Sequence, residues 1–220
     1  MKRSIKTGLK LICMLMLFAG SVKAYAFTLE QVSTRYEAGE YRLALTATLA
    51  APLQQVEAVL RDYARYPELD ARILEARIVR VTAPGQLQLF TRIHVCVSIL
   101  CRNVERTEQV EEHAGELLAT IIADRSDAER GATHTVLSAD GVLTRVHYTT
   151  YIVPKFWVPA LFGRSLMLRT LRDGTLALFQ HVEQRASTLP STGSLDTVAE
   201  PSPKQTEPND HQSDSAVTTR

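Results

Sequence analysis

The stretch Val158–Ala186 reads VPALFGRSLMLRTLRDGTLALFQHVEQRA, and its periodicity decides how the rest of the chain is understood. At about 100° per residue, Leu161, Met167, Leu168, Leu171, Thr175, Leu178, Phe179 and Val182 fall within one arc of roughly 120°. Arg169, Asp173, Gln180 and Glu183 fall outside it. Pro159 stands where a first-turn proline is tolerated, and the polar residues after Ala186 end the pattern. The spacing predicts one long amphipathic helix whose apolar stripe needs a broad partner. Arg164 is the exception, a cation in the middle of that stripe.

The partner is a sheet, because the upstream segments read as strands. Tyr41 to Leu49 alternates apolar and polar residues, as a half-buried strand does. Ala51-Pro52 opens a short helix to about Tyr63, with Val56, Val59 and Leu60 on one side. Ile73–Thr82, Glu116–Asp124, Thr133–Ala139 and Val142–Ile152 follow as strands, separated by Pro84-Gly85, an Arg125–Gly131 loop and Asp140-Gly141.

Gln86 to Val110 carries the most register information. Pairing Cys96 with Cys101 sets Arg92 against Glu105, His94 against Asn103, Ile93 against Val104 and Leu87 against Val110. One register therefore sorts an apolar face from a polar one and pairs opposite charges. A cross-strand disulfide closes this hairpin in an oxidising compartment; in a reducing one the two cysteines stay thiols.

Both ends lie outside the expected domain. Residues 1–26 have a basic start (Lys2, Arg3, Lys6, Lys10), an apolar run from Leu11 to Ala19 and the sequence Ala24-Tyr25-Ala26. This is the pattern of a cleavable secretory signal peptide, and its apolar run is shorter than the roughly 20 residues of a spanning helix. Cys13 lacks the small residue that precedes a lipidated cysteine. Five of the chain's 25 basic residues and none of its 24 acidic ones lie in this segment, so the remainder has a net charge of −4. That excludes a strongly basic nucleic-acid footprint. Residues 187–220 lack aromatic residues and are rich in Ser, Thr, Pro, Asp, Glu and Gln, the composition of a disordered polar tail. One domain, residues 27–186, is left between.

Strand, short helix, consecutive antiparallel strands and a long last helix make an α+β arrangement. This order resembles the helix-grip fold of the START-like (SRPBCC) superfamily, which includes polyketide cyclases, Bet v 1-like proteins and lipid-transfer START domains. The residues that carry the resemblance are Ala50-Ala51-Pro52 with Val56, Val59 and Leu60, then Asp62-Tyr63-Ala64-Arg65-Tyr66-Pro67. The Asp140-Gly141 hairpin and the final helix add to it. Exported bacterial members of unassigned role are the most similar, sharing a Cys-x4-Cys hairpin and the run Trp157-Val158-Pro159-Ala160-Leu161-Phe162-Gly163. The resemblance implies a curved antiparallel sheet of six to seven strands wrapped round the last helix, with an apolar cavity between them. It further implies binding or transfer of a lipid or isoprenoid-like molecule, in a Gram-negative periplasm. A cyclase or aromatase acting on a polyketide-like substrate and a non-catalytic interaction module are the alternatives, since one fold hosts many functions.

The residues expected to line that cavity are Leu89, Thr91, Ile93, Val95, Val104, Arg106, Tyr148, Trp157, Arg164, Leu168 and Leu171. Arg102, Arg106 and Arg164 can each hold a carboxylate or phosphate head through paired hydrogen bonds; their other expected partners are Glu108, Asp124 and Glu111. Tyr63 and Tyr66 read as packing residues. The tip Val97-Ser98-Ile99-Leu100 is unusually aliphatic for a turn, which makes Val97, Ile99 and Leu100 candidates for contact with a membrane surface or a partner. His134 and His147 come out opposed across the Asp140-Gly141 turn, but two imidazoles fall short of the three or four ligands of a zinc site. No phosphate loop, nucleophile elbow or zinc motif occurs. Neither a cofactor nor a catalytic group is expected from the sequence.

Overall fold

The computed structural model describes residues 27–97, 100–158 and 163–190. Residues 1–26, Ser98, Ile99, Pro159–Phe162, the residues beyond Pro190, and the side chains of Val97 and Leu100 lie outside the described residues. So does the proposed contact at the hairpin tip.

Eight strands form one antiparallel sheet: β1 (Thr28–Glu37), β2 (Glu40–Leu49), β3 (Ile73–Ala83), β4 (Gln86–Val97), β5 (Leu100–His113), β6 (Glu116–Ile121), β7 (Ala128–Asp140) and β8 (Leu143–Pro154). Their spatial order is β1-β2-β8-β7-β6-β5-β4-β3. Between β2 and β3 run α1 (Leu53–Arg61), a single 3-10 turn at Tyr63–Arg65 and the one-turn α2 (Tyr66–Leu69). The long helix α3 (Gly163–Ala186) closes the domain. The arrangement is the α+β helix grip anticipated from the strand pattern, with one strand more than expected.

That additional strand is β1. Ala38 and Gly39 link it to β2 with φ values of 50° and 85°, the left-handed pair that a tight hairpin requires. Its outer residues are exposed and only Val32, Thr34 and Tyr36 turn partly inward. A bulge between Leu29 and Gln31 weakens the alternation further.

Register follows charge and turn chemistry. In β4–β5 the pairs Arg92–Glu105, His94–Asn103, Ile93–Val104 and Cys96–Cys101 all stand opposite each other, and the two cysteines are joined as a disulfide. In β7–β8 the outcome departs from expectation. Asp140 pairs with Leu143, so the turn residues are Gly141 and Val142, and His134 faces Thr149 while Val136 faces His147. The two histidines are therefore not opposed. A slip of two residues leaves every side chain on its original face, which is why Thr135, Leu137 and Val146 are buried as expected.

The main core lies under the C-terminal half of α3. Leu43, Leu45 and Leu49 of β2, Leu137 of β7 and Val146 of β8 meet Val56 and Val59 of α1 and Phe179, Val182 and Ala186 of α3. A smaller cluster of Tyr63, Leu87, Leu89 and Val110 sits beneath the α1–α2 connection. Burying each large aliphatic or aromatic side chain contributes roughly 1.5–3 kcal/mol.

Candidate functional site

The N-terminal half of α3 does not close on the sheet. Between them is a cavity of about 220 Å³. From α3 it is lined by Met167, Thr170, Leu171, Gly174, Thr175 and Leu178. The sheet contributes Ile73, Thr91, Ile93, Val95, Val104, Arg106 and Ile152, and Phe156 and the α2 region with Tyr66, Asp70 and Arg72 complete the wall. The lining is predominantly apolar, and most of its polar side chains are already matched.

Two ion pairs account for the charged groups. Arg106 on β5 lies 3.0 Å from Glu108, whose carboxylate side chain is only 4% exposed. The contact is ionic more than directional, because Arg106 Nε finds no aligned acceptor among the described residues. Arg106 and Glu108 share a face because strand residues two apart point the same way. At the rim, Arg72 donates from Nε to Asp70 Oδ1 at 2.9 Å, and a second bond joins Arg72 Nη2 to the same carboxylate. Burial pulls the Asp70 pKa up, but the hydrogen bonds and charge of Arg72 outweigh it and hold the carboxyl below its ordinary value. Arg72 lies across α3 at Gly174, where a Cβ would come within 2.6 Å of its guanidinium nitrogens. A glycine inside a helix costs about 1 kcal/mol relative to alanine; here it makes room for that side chain.

The tyrosines are held neutral. Tyr66 donates to the Leu60 carbonyl at 2.6 Å, and burial, with the nearby Glu108 charge, pushes its pKa far up. Burial likewise raises Tyr148, which packs edge-on against Phe179 with ring centroids 5.3 Å apart. Tyr63 donates to Glu112 at 2.5 Å, and burial together with that bond raises it strongly. None of these phenols supplies a base at neutral pH.

Besides Arg106 Nε, one polar atom on the cavity wall is unmatched among the described residues. Thr91 is 1% exposed, and its Oγ1 is buried without a hydrogen-bond partner among the described residues. A buried hydroxyl left unpaired costs on the order of 1–3 kcal/mol. It stands on β4 directly opposite Arg106.

Of the residues expected from sequence, Thr91, Ile93, Val95, Val104, Arg106 and Leu171 meet on this wall. The others are placed elsewhere. Leu89 is buried in the smaller cluster, and Tyr148 packs on the main core. Leu168 is half-buried on α3. Trp157 is 78% exposed, because the segment after β8 leaves the sheet. Arg164 is exposed, with its guanidinium 4.5 Å above the Tyr36 ring of β1. Arg102 is also exposed, stacked 4.5 Å from the Phe156 ring. The arginines therefore offer no free cationic clamp inside the cavity. Tyr66, read as a packing residue, forms part of the wall.

Two polar groups elsewhere are explained locally. His134 binds Glu116 at 2.5 Å and His147 binds Thr46 at 3.1 Å. His94, Cys96 and Cys101 lie close together, but the two sulfurs are bonded to each other and are not thiolate ligands.

No protein-family model matches the chain, and no functionally curated protein matches it. Solved structures do share its architecture. The Zhui aromatase/cyclase from Streptomyces sp. R1128 superimposes with a TM-score of 0.57 at 16% identity, over 67% of this chain and 94% of that one. A START superfamily protein from Mycobacterium smegmatis gives 0.54 at 18%, over 65% and 97%. A STAR-related lipid transfer protein from Xanthomonas axonopodis gives 0.51 at 15%, over 70% and 99%. The fold is thus the START-like helix grip. At these identities the likeness carries the fold and not the activity.

Proposed function

We propose that the protein binds or transfers a small, uncharged, hydrophobic molecule in the space between α3 and the sheet, within an exported, oxidising compartment such as a periplasm. The observation that carries this reading is the apolar cavity with the unpaired Thr91 hydroxyl on its wall. Burial of apolar guest surface supplies the affinity, at roughly 25 cal/mol per Å² before ordering costs. One oxygen on the guest satisfies Thr91. The charges facing the cavity cancel, Arg106 against Glu108 and Arg72 against Asp70, so a carboxylate or phosphate head would lose its hydration without gaining a free cation. An alcohol, ketone or isoprenoid-like molecule fits better than a fatty acid. The cavity is smaller than the roughly 300–1,000 Å³ of drug-sized sites, so a longer guest would leave part of its chain outside it. The leader sequence and the Cys96–Cys101 disulfide support the exported setting.

Native mass spectrometry of protein released from its host without detergent tests the reading, followed by titration with decanol and with decanoate. A co-purifying apolar adduct, or saturable binding of decanol in preference to decanoate, supports it. An empty protein that takes up neither overturns it.

A further inference from the structure

Phe27 is the first described residue, and its position is unusually well fixed. Its ring packs against the main core. Its backbone nitrogen donates to Glu183 Oε1 at 2.9 Å, across 156 residues of chain. The other oxygen of the same carboxylate accepts the backbone N–H of Ala50 at 2.8 Å, just beyond the end of β2. Glu183 lies outside the helix's apolar arc, yet it is half-buried because these two amides occupy it.

The bond that precedes this nitrogen is the one the sequence marks for cutting. Ala24 and Ala26 place small residues at the third and first positions before Ala26–Phe27, after a basic start and an apolar run. Hydrolysis there adds one water across the peptide bond, leaving a carboxylate on Ala26 and an amine on Phe27. The catalyst is a leader peptidase of the export machinery. At neutral pH that amine is mostly an ammonium, since an exposed α-amino group has a pKa of roughly 7.7–8.0.

We propose that cleavage after Ala26 converts the Phe27–Glu183 hydrogen bond into an ion pair, so that maturation itself fastens the new N-terminus to the last helix. Before cleavage the nitrogen is an uncharged amide with one proton to give. Afterwards it carries a full charge and three donors, 2.9 Å from a carboxylate that already accepts the Ala50 amide. A charge-assisted bond of this kind is roughly twice as strong as a neutral one. The inference rests on the leader pattern and the Glu183 geometry; with the ligand reading it shares only the premise of export.

The test uses the full-length chain expressed with its leader in an exporting bacterium. Intact-mass and N-terminal analysis of the released protein is expected to show a chain beginning at Phe27. The pH profile of α-amine acetylation, followed by mass spectrometry, is then compared with that of Glu183→Gln and of a variant with one glycine inserted before Phe27. The native amine is expected to titrate at least about half a pKa unit higher, a roughly threefold change in reactivity near neutral pH. Both variants should return it to the exposed range, the inserted glycine doing so with Glu183 intact. An uncleaved chain has no amine at Phe27 and overturns the clamp. Cleavage at another bond, or an amine that titrates identically in all three proteins, overturns the clamp and leaves ligand binding untouched.

Discussion

The two halves of α3 face the same sheet and meet it differently. Toward the C-terminus, Phe179 is 1% exposed and Val182 and Ala186 are fully buried against β2, β8 and α1. Toward the N-terminus, Thr170, Gly174 and Thr175 alternate with Met167, Leu171 and Leu178 around a cavity. Small and polar side chains are what keep the second half from closing, for a dense interior leaves few voids larger than a water molecule. One helix thus divides its length between holding the fold and leaving room in it.

The strongest way to break this contrast is to truncate both halves. Phe179→Ala should cost about 3–5 kcal/mol in urea unfolding, since it empties a closed core. Leu171→Ala, which already borders open space, should cost well under half as much. Equal losses would mean that the two halves pack alike. Next in size, Leu171→Trp should fill the cavity and weaken decanol binding by tenfold or more, about 1.4 kcal/mol, while the melting temperature barely moves. A variant that binds normally would place the guest elsewhere.

Thr91→Val sharpens the polar side of the comparison. Removing a hydroxyl that has no partner should leave the free protein as stable as before or slightly more so, and should weaken decanol binding by about 0.5–1.5 kcal/mol. Undiminished affinity would dismiss Thr91 as the anchor. The smallest expected effect is at the rim. The folded-state pKa of Asp70 is held below its ordinary value of 3.8, so its pairing with Arg72 stabilises the fold above that pH and is lost as pH falls through the folded value. Thermal melts between about pH 5 and pH 2 should show a shallower acid decline in Asp70→Asn, by a modest amount because Arg72 is 40% exposed.

What could be read from the chain differed from region to region for physical reasons. The β4–β5 register was legible because Arg92–Glu105 and Cys96–Cys101 each admit one alignment. The β7–β8 register was misread by two residues because burial of Leu137 and Val146 is satisfied equally by both alignments, leaving only the turn to decide. There Asp140-Gly141 resembles a strong signal, but the residues that turn are Gly141 and Val142. β1 went unread because an edge strand with a bulge and mostly exposed side chains carries little alternation. Arg164 occupies the apolar arc on a helical wheel, but at the helix start it stacks on Tyr36 of that unread strand.

The site was legible as a face and not as a space. The register placed Thr91, Val104 and Arg106 together, and Glu108 stood among the expected partners of the arginines. Which inward side chains touch and which stop short depends on how far α3 stands from the sheet, and no periodicity encodes that distance. The contributions of Asp70, Arg72 and Gly174 are of this kind, since each is understood only through the notch that one makes for another.

The hold of Glu183 on Phe27 and Ala50 also bears on timing. It joins the earliest described residue to the last helix, and closing a loop of 156 residues costs chain entropy that slows folding. A chain synthesised from its N-terminus completes this hold only once its final helix has been made. The first strand therefore gains its fastening last, when the final turns of the last helix are in place.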